Sequence, residues 1–287
     1  MGQGYLRVIY SGAVMRGITE GFKKINGLTL KVIACVIMLL DHITAGIMLP
    51  VVKAGLYPDN IPFEKIKLIY DILRGIGRNA FPIFCFLLVE GFIHTKNRLR
   101  YALSLLLFGI ISEPVFDITF YAKHDVFNIN FFECFGANHD ILLSHCNVYF
   151  TLLIGLLVIW VSEYLLNGFI VINKKALPIW VSYILTALVL AAGILLAEYI
   201  HTDYHGFGVG LIFIFYILRS LFPLNIVAGF IELSFLGTEY YAFPCFVLLY
   251  LYNHERGPRI GNFKYLFYAF YPVHIFLIYV ARCLIFG

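Results

Sequence analysis

Residues 30–50 read LKVIACVIMLLDHITAGIMLP. A membrane-spanning helix needs about 20 predominantly apolar residues, and this stretch supplies them. Lys31 marks its edge, and Asp41 and His42 are the ionisable residues inside it. An apolar run of spanning length with an acid and a histidine in its interior sets both questions that the rest of the chain answers: how many such runs there are, and what the buried polar groups do.

The composition of the whole chain agrees with the first segment. Of 287 residues, 61% are hydrophobic and 13% are charged, with 28 Phe and 20 Tyr. A water-soluble domain carries about 25% charged residues, so an ordinary soluble enzyme, a coiled coil and a disordered chain are excluded. A bilayer accepts the aromatic excess, which concentrates at its interfaces. The net charge of +4 is too small for a nucleic-acid binder. Cys35, Cys85, Cys134, Cys146, Cys245 and Cys283 form no CxxC or Cys/His zinc spacing, so no metal site is expected. Cys134 and Cys146 share one polar loop and are candidates for a disulfide if it faces an oxidising compartment.

The fold class expected is all-α, a polytopic integral membrane protein of about nine transmembrane helices. The apolar stretches are 30–50, 67–94, 100–121, 147–168, 178–199, 205–219, 222–237, 240–253 and 265–285. Three of them are short. Residues 1–29 are mixed and basic, with Arg7, Arg16, Lys23 and Lys24. They read as an amphipathic segment on the cytoplasmic surface, without the cleavage site of a signal peptide, and residues 30–287 read as a single transmembrane domain. With the N-terminus cytoplasmic, 14 of the 21 Lys and Arg residues fall on cytoplasmic segments and adjoining helix ends, among them Lys31, Lys96, Arg98, Arg100, Lys174, Arg256 and Arg259. Lys53, Lys65, Lys67 and Lys123 fall on the other side, and Arg74, Arg78 and Arg282 within spans. This is a positive-inside pattern, and it places the chain in the cytoplasmic membrane with an extracytoplasmic C-terminus.

Ionisable residues inside spans are costly and point to function. At about 1.5 Å per residue, His42 lies about 18 Å from the cytoplasmic edge, Arg74 and Arg78 about 10 and 16 Å from the outer edge, and Glu113 about 20 Å from the cytoplasm. In a core about 30 Å thick these depths overlap. His274 comes out near the midplane. Arg74 and Arg78 share a helix face, as do Glu113 and Asp117, each pair being i and i+4. Lys31 and His42, eleven apart, share a stripe. The plain alternative is a structural network in which Arg74 and Arg78 pair with Glu113 and Asp117. Pro114 and Pro272 are expected to free backbone carbonyls inside spans.

The strings LKVIACVIMLLDHITAG (30–46), LRGIGRNAFPIFCFLLVEGFIHT (73–95) and ISEPVFDITFY (111–121) resemble the TraX family, as do NVYFTLLIGLL (147–157), DYHGFGVGLIFIFYILR (203–219) and YLFYAFYPVHIFLIYV (265–280). The resemblance runs from about Leu30 to Ile285. It implies an integral-membrane acetyltransferase, since the family is named for a conjugative-plasmid protein that N-acetylates pilin. A weaker similarity, to the acyltransferase-3 and lysosomal heparan N-acetyltransferase families, rests on Lys31 and His42, a basic residue and a His with ten residues between, and on the pair Arg74 and Arg78. Here three residues separate the two arginines, where the acyltransferase-3 pattern has two.

The function expected is transfer of an acetyl group from acetyl-CoA to an amine or hydroxyl. The acceptor is a peptide N-terminus by family resemblance, or else a cell-envelope glycan or lipid. Such chemistry needs a base for the nucleophile's proton and donors for the developing oxyanion. His42 has the intrinsic pKa for the first task, as base or acyl carrier, with Asp41 or Glu113 to orient it. Lys31, Arg74, Arg78, Asp117, Asn147, Asp203, Tyr204 and His274 are the candidate donor- and acceptor-binding residues. Lys31, Lys96, Arg98 and Arg100 are placed to meet nucleotide phosphates. The partners expected are the acyl-CoA donor, the acceptor and membrane lipids, with self-association through membrane faces open. A proton-coupled transporter needs the same residue types, and a non-catalytic scaffold of a conjugation or secretion apparatus is the third reading.

Overall fold

The computed structural model describes residues 24–142, 144–168, 171–172, 175–258 and 264–287. Most of the N-terminal amphipathic segment, with Arg7, Arg16 and Lys23, lies outside the described residues, as do Lys174 and Arg259. Among the described residues, six helices are long and apolar enough to cross a membrane. They include α1 (Gly27–Lys53) and a run over Phe63–His94 made of two parts, α2 (Phe63–Gly77) and α3 (Ala80–His94). The others are α4 (Arg98–Phe120), α6 (Val148–Leu166), α7 (Ile179–Tyr199) and α11 (Lys264–Phe286). A short α5 (Phe131–Ala137) lies in the long connection.

The remaining apolar stretches, 205–219, 222–237 and 240–253, form α8 (His205–Ile217), α9 (Leu224–Ser234) and α10 (Phe243–Tyr250). At 13, 11 and 8 residues they reach roughly 20, 16 and 12 Å, short of a core about 30 Å thick. The expected nine crossings therefore become six long helices and three short ones. The turn through Leu218 to Pro223 and a 3₁₀ segment at Thr238–Ala242 take up residues that hydropathy alone counts as helix.

Helix ends and prolines explain much of the local structure. Asn26 caps α1, its side chain accepting the Thr29 N–H at 2.9 Å, and Asn97 caps α4 in the same way through Arg100 at 2.8 Å. Pro50 has no N–H to give the carbonyl four residues back, and the Gly46 oxygen accepts instead from Arg282 Nη1 at 2.9 Å. The same guanidinium bonds the Thr119 oxygen at 2.7 Å, at the C-terminal end of α4. Arg282 is fully buried, and its charge sits where the α4 dipole is negative. Pro272 likewise frees the Tyr268 oxygen, which the Tyr149 hydroxyl takes at 2.8 Å.

The two ends of the bundle differ in charge. The Gly27 and Leu28 N–H groups bond the Glu255 and Arg256 carbonyls at 2.8 and 3.1 Å, so α1 starts beside residues 251–256. The turn from α3 into α4, with Lys96 and Arg98, lies at this same basic end. At the opposite end is the 122–147 connection, organised by buried Asn138, whose oxygen accepts the Lys123 N–H at 2.8 Å. There Cys283 near the C-terminus meets the Asn128 carbonyl at 3.3 Å. The suggested Cys134–Cys146 disulfide is absent. Both thiols are free and buried, Cys134 against the Asn138 amide and Cys146 beside Glu113.

Candidate active site

A cavity of about 840 Å³ enters the bundle among α1, α3, α4, α6 and α11. Its mouth, at the basic end, is lined by Lys31, Lys96, Arg100 and Arg256. Glu90, Tyr101, Ser104 and Tyr252 line its middle, and Asp41, His42, Asp203, Tyr204 and Tyr271 its deep part. The eleven residues from Lys31 to His42 separate mouth and depth by about 16 Å along α1.

His42 is held by a residue far away in the chain. His42 Nδ1 lies 2.7 Å from His274 Nε2, and the two rings are within 8° of parallel. His274 Nδ1 in turn lies 2.5 Å from the Phe270 carbonyl oxygen. A carbonyl only accepts, so His274 carries its proton on Nδ1 and its Nε2 is bare. That bare nitrogen must accept from His42, which fixes the His42 proton on Nδ1. The His42 atom left with an open lone pair is Nε2. Phe120 and Tyr271 close on the His42 ring edge-on, at centroid distances of 5.1 and 5.6 Å, and so restrict its rotation. The helix makes a π-turn over Thr44–Met48, beginning two residues after His42, a distortion that often marks a functional position.

Asp41 does not touch His42. It pairs with Arg74 Nη1 at 2.5 Å, and its carboxyl lies against Gly77, where a Cβ would come within 1.9 Å of Oδ1. Arg78 pairs with Glu239 at 3.1 Å and shares a hydrogen bond with Tyr204. The arginine pair thus anchors α2 to α1 and to the 3₁₀ segment, and neither arginine lines the cavity. Asn79, at the α2–α3 junction, completes that anchor. Its amide donates to the Tyr241 oxygen at 3.2 Å and its oxygen accepts the Cys245 N–H at 2.9 Å. The alternative in which the arginines pair with Glu113 and Asp117 is not what the structure shows.

Glu113 has its own task. It accepts the Asn147 backbone N–H at 3.1 Å and the Asn147 side-chain amide. The Asn147 amide also donates to the Gly109 oxygen at 2.9 Å, and its own oxygen caps α6 through the Tyr149 N–H at 3.0 Å. Asp117 is fully buried one turn further along α4. Glu113 and Asn147 fix the start of α6 against α4, outside the cavity lining. The same start is sewn to the 201–204 turn. Cys146 N–H bonds the His201 oxygen at 3.1 Å, Asp203 N–H bonds the Cys146 oxygen at 2.9 Å, and Thr151 bonds the Asp203 carbonyl. Asp203 and Tyr204 thereby reach the deep cavity, with Tyr204 stacked within 7° of parallel on Phe81. Burial raises the Asp203 carboxyl pKa above its ordinary value, against the opposing pull of Arg78 and Arg74.

Of the residues singled out from sequence, Lys31, Asp41, His42, Asp203 and Tyr204 share the cavity. Arg74, Arg78, Glu113, Asp117, Asn147 and His274 stand behind it. Arg98 is drawn off by an ion pair with Glu163 and by the Phe92 ring 4.2 Å away. Sequence reasoning missed Glu90, Glu239, Asn79 and the place of Arg256 at the mouth. Glu90 carries a signal in the sequence, being an acid inside an apolar span.

A family model described as TraX protein matches residues 26–282. The chain is similar to the probable fimbrial assembly protein FimC, serogroup H1, of Dichelobacter nodosus, with 29% identity over 274 residues that cover 88% of this chain and 94% of that one. No solved structure matches.

Proposed function

The chain belongs to the TraX family, and from that premise we propose that it is a membrane-embedded acyltransferase that moves an acetyl group from acetyl-CoA to an amine or hydroxyl acceptor. One observation carries the reading. A histidine whose tautomer is set by a second histidine lines the depth of a cavity with a cationic mouth. Lys31, Arg100 and Arg256 suit the nucleotide phosphates of the donor, and the span of about 16 Å to His42 suits an extended pantetheine arm. Bound there, the donor supplies a thioester carbonyl. His42 Nε2 takes the proton of the attacking N–H or O–H as the carbon–sulfur bond breaks, and returns it to the departing sulfur, so that His42 ends as it began. Tyr271 and Tyr204 line this depth; the Tyr204 hydroxyl is held by Arg78, and the Tyr271 hydroxyl suits the stabilisation of a developing oxyanion. With the basic mouth cytoplasmic by the positive-inside rule, the donor enters from the cytosol.

The name of the Dichelobacter relative points to a part in fimbrial assembly, and a non-catalytic scaffold is the second reading. Purified protein in nanodiscs with acetyl-CoA and a pool of peptide, glycan and lipid acceptors separates the two. Release of free CoA thiol by the wild type, lost in His42→Ala, supports the enzyme. Absence of both acetyl-CoA binding and thiol release refutes it.

A further inference from the structure

A second groove, of about 420 Å³, adjoins the cavity mouth at the basic end and shares Lys96 with it. Lys96, Arg98 and Leu99 at the turn into α4 face Trp160 and Tyr164 near the end of α6 across it. Arg98 is committed to Glu163. Lys96 is exposed and pairs with no acid among the described residues, so it is the groove's available cation. The Trp160 ring borders the groove, with its indole N–H buried. Tryptophan is enriched where a membrane meets water.

What runs away from the groove identifies the occupant. Leu99, Leu103 and Leu107 lie at four-residue spacing on α4 and are 59, 53 and 55% exposed. Leu157 and Val161 are exposed on the neighbouring α6. Successive turns of two packed helices therefore continue an apolar strip from the cation toward the bilayer centre. An inorganic phosphate or a nucleotide uses the cation and leaves the strip untouched. An amphiphile with an anionic head and acyl chains uses both, and basic sites between helices at the membrane surface suit such headgroups. We propose that this groove is a binding site for an anionic phospholipid, with its phosphate on Lys96, its glycerol region beside Trp160 and its chains along α4 and α6.

The chain has two tryptophans, which makes the site readable. In a Trp180→Phe background, Trp160 fluorescence is followed in phosphatidylcholine nanodiscs carrying a rising fraction of chain-brominated phosphatidylglycerol. Quenching that saturates at a lower fraction with brominated phosphatidylglycerol than with brominated phosphatidylcholine is the expected result. Lys96→Gln raises the half-saturating fraction about fivefold, which corresponds to the about 1 kcal/mol of one lysine at an anionic surface. Its quenching by brominated phosphatidylcholine stays at the wild-type level and reports a correctly inserted protein. Equal quenching by the two lipids, or a Lys96→Gln curve that overlies the wild type, overturns the proposal. Displacement of the lipid by millimolar glycerol phosphate or inorganic phosphate also overturns it, and assigns the groove to a soluble anion.

Discussion

Gly77→Ala tests how closely the helices behind the site are fitted. A Cβ at this position would lie 1.9 Å from Asp41 Oδ1, 2.4 Å from Cγ and 2.6 Å from Cβ. Carbon atoms meet comfortably at about 3.5–4.0 Å. Rotating the Asp41 side chain moves Oδ1 and Cγ but leaves Cβ, which is fixed to the α1 backbone. The helices must therefore part by about 1 Å at this crossing, an overpacking cost of about 1–3 kcal/mol. Alanine also returns about 0.5–1 kcal/mol of helix propensity over glycine, and the clash outweighs it. The displacement strains the Asp41–Arg74 pair at 2.5 Å and carries His42 with it, away from a bond of 2.7 Å to His274. Misplacement of a reacting group by about 1 Å costs roughly 100-fold in rate. The assay is the thermal midpoint in nanodiscs together with thiol release from acetyl-CoA. Both fall in Gly77→Ala. A single variant with the wild-type midpoint and rate refutes the argument that this glycine is held by close approach.

His274→Phe keeps a ring but removes the acceptor for the His42 Nδ1–H, and thiol release at saturating acetyl-CoA falls at least about 100-fold with KM little changed. A wild-type rate disproves the tautomer argument. Lys31→Gln and Arg256→Gln each raise the KM for acetyl-CoA about tenfold, by loss of a charged hydrogen bond, leave kcat near wild type and flatten the salt dependence; an unchanged KM removes the phosphates from the mouth. Arg282→Leu strands the Gly46 and Thr119 carbonyls in the interior and lowers stability by about 2–4 kcal/mol, seen as a drop in thermal midpoint that Arg282→Lys partly repairs. No change in midpoint shows that the guanidinium is not structural.

Single apolar runs were legible because a bilayer imposes its thickness on each one separately. The same reasoning overcounts where turns are as apolar as helices, as at Leu221 and Phe222 or Phe235 and Leu236. His42 stood out as a histidine inside a span. Its partner did not, because 232 residues separate it from His274 and no local period relates two helices at opposite ends of a chain. Matching depths placed Arg74, Arg78, Glu113 and His42 at one level, and rotation about each helix axis then sent them to different neighbours. Asp41 faces Gly77, whereas Glu113 turns to Asn147. Pro272 was expected to free a carbonyl, and Tyr149 is the residue that uses it.

The π-turn at Thr44–Met48 fits one residue more into its turn than an α-helix does. At roughly 4.4 residues per turn its five residues carry the chain through roughly 410°, close to the roughly 400° of four α-helical residues. Loss of one residue here would therefore restore ordinary α winding and leave the two halves of α1 nearly in phase, with His42 still toward His274. Elsewhere in α1 the same loss would turn one half against the other by about 100°, so this turn is where the helix best tolerates a change of one residue in length.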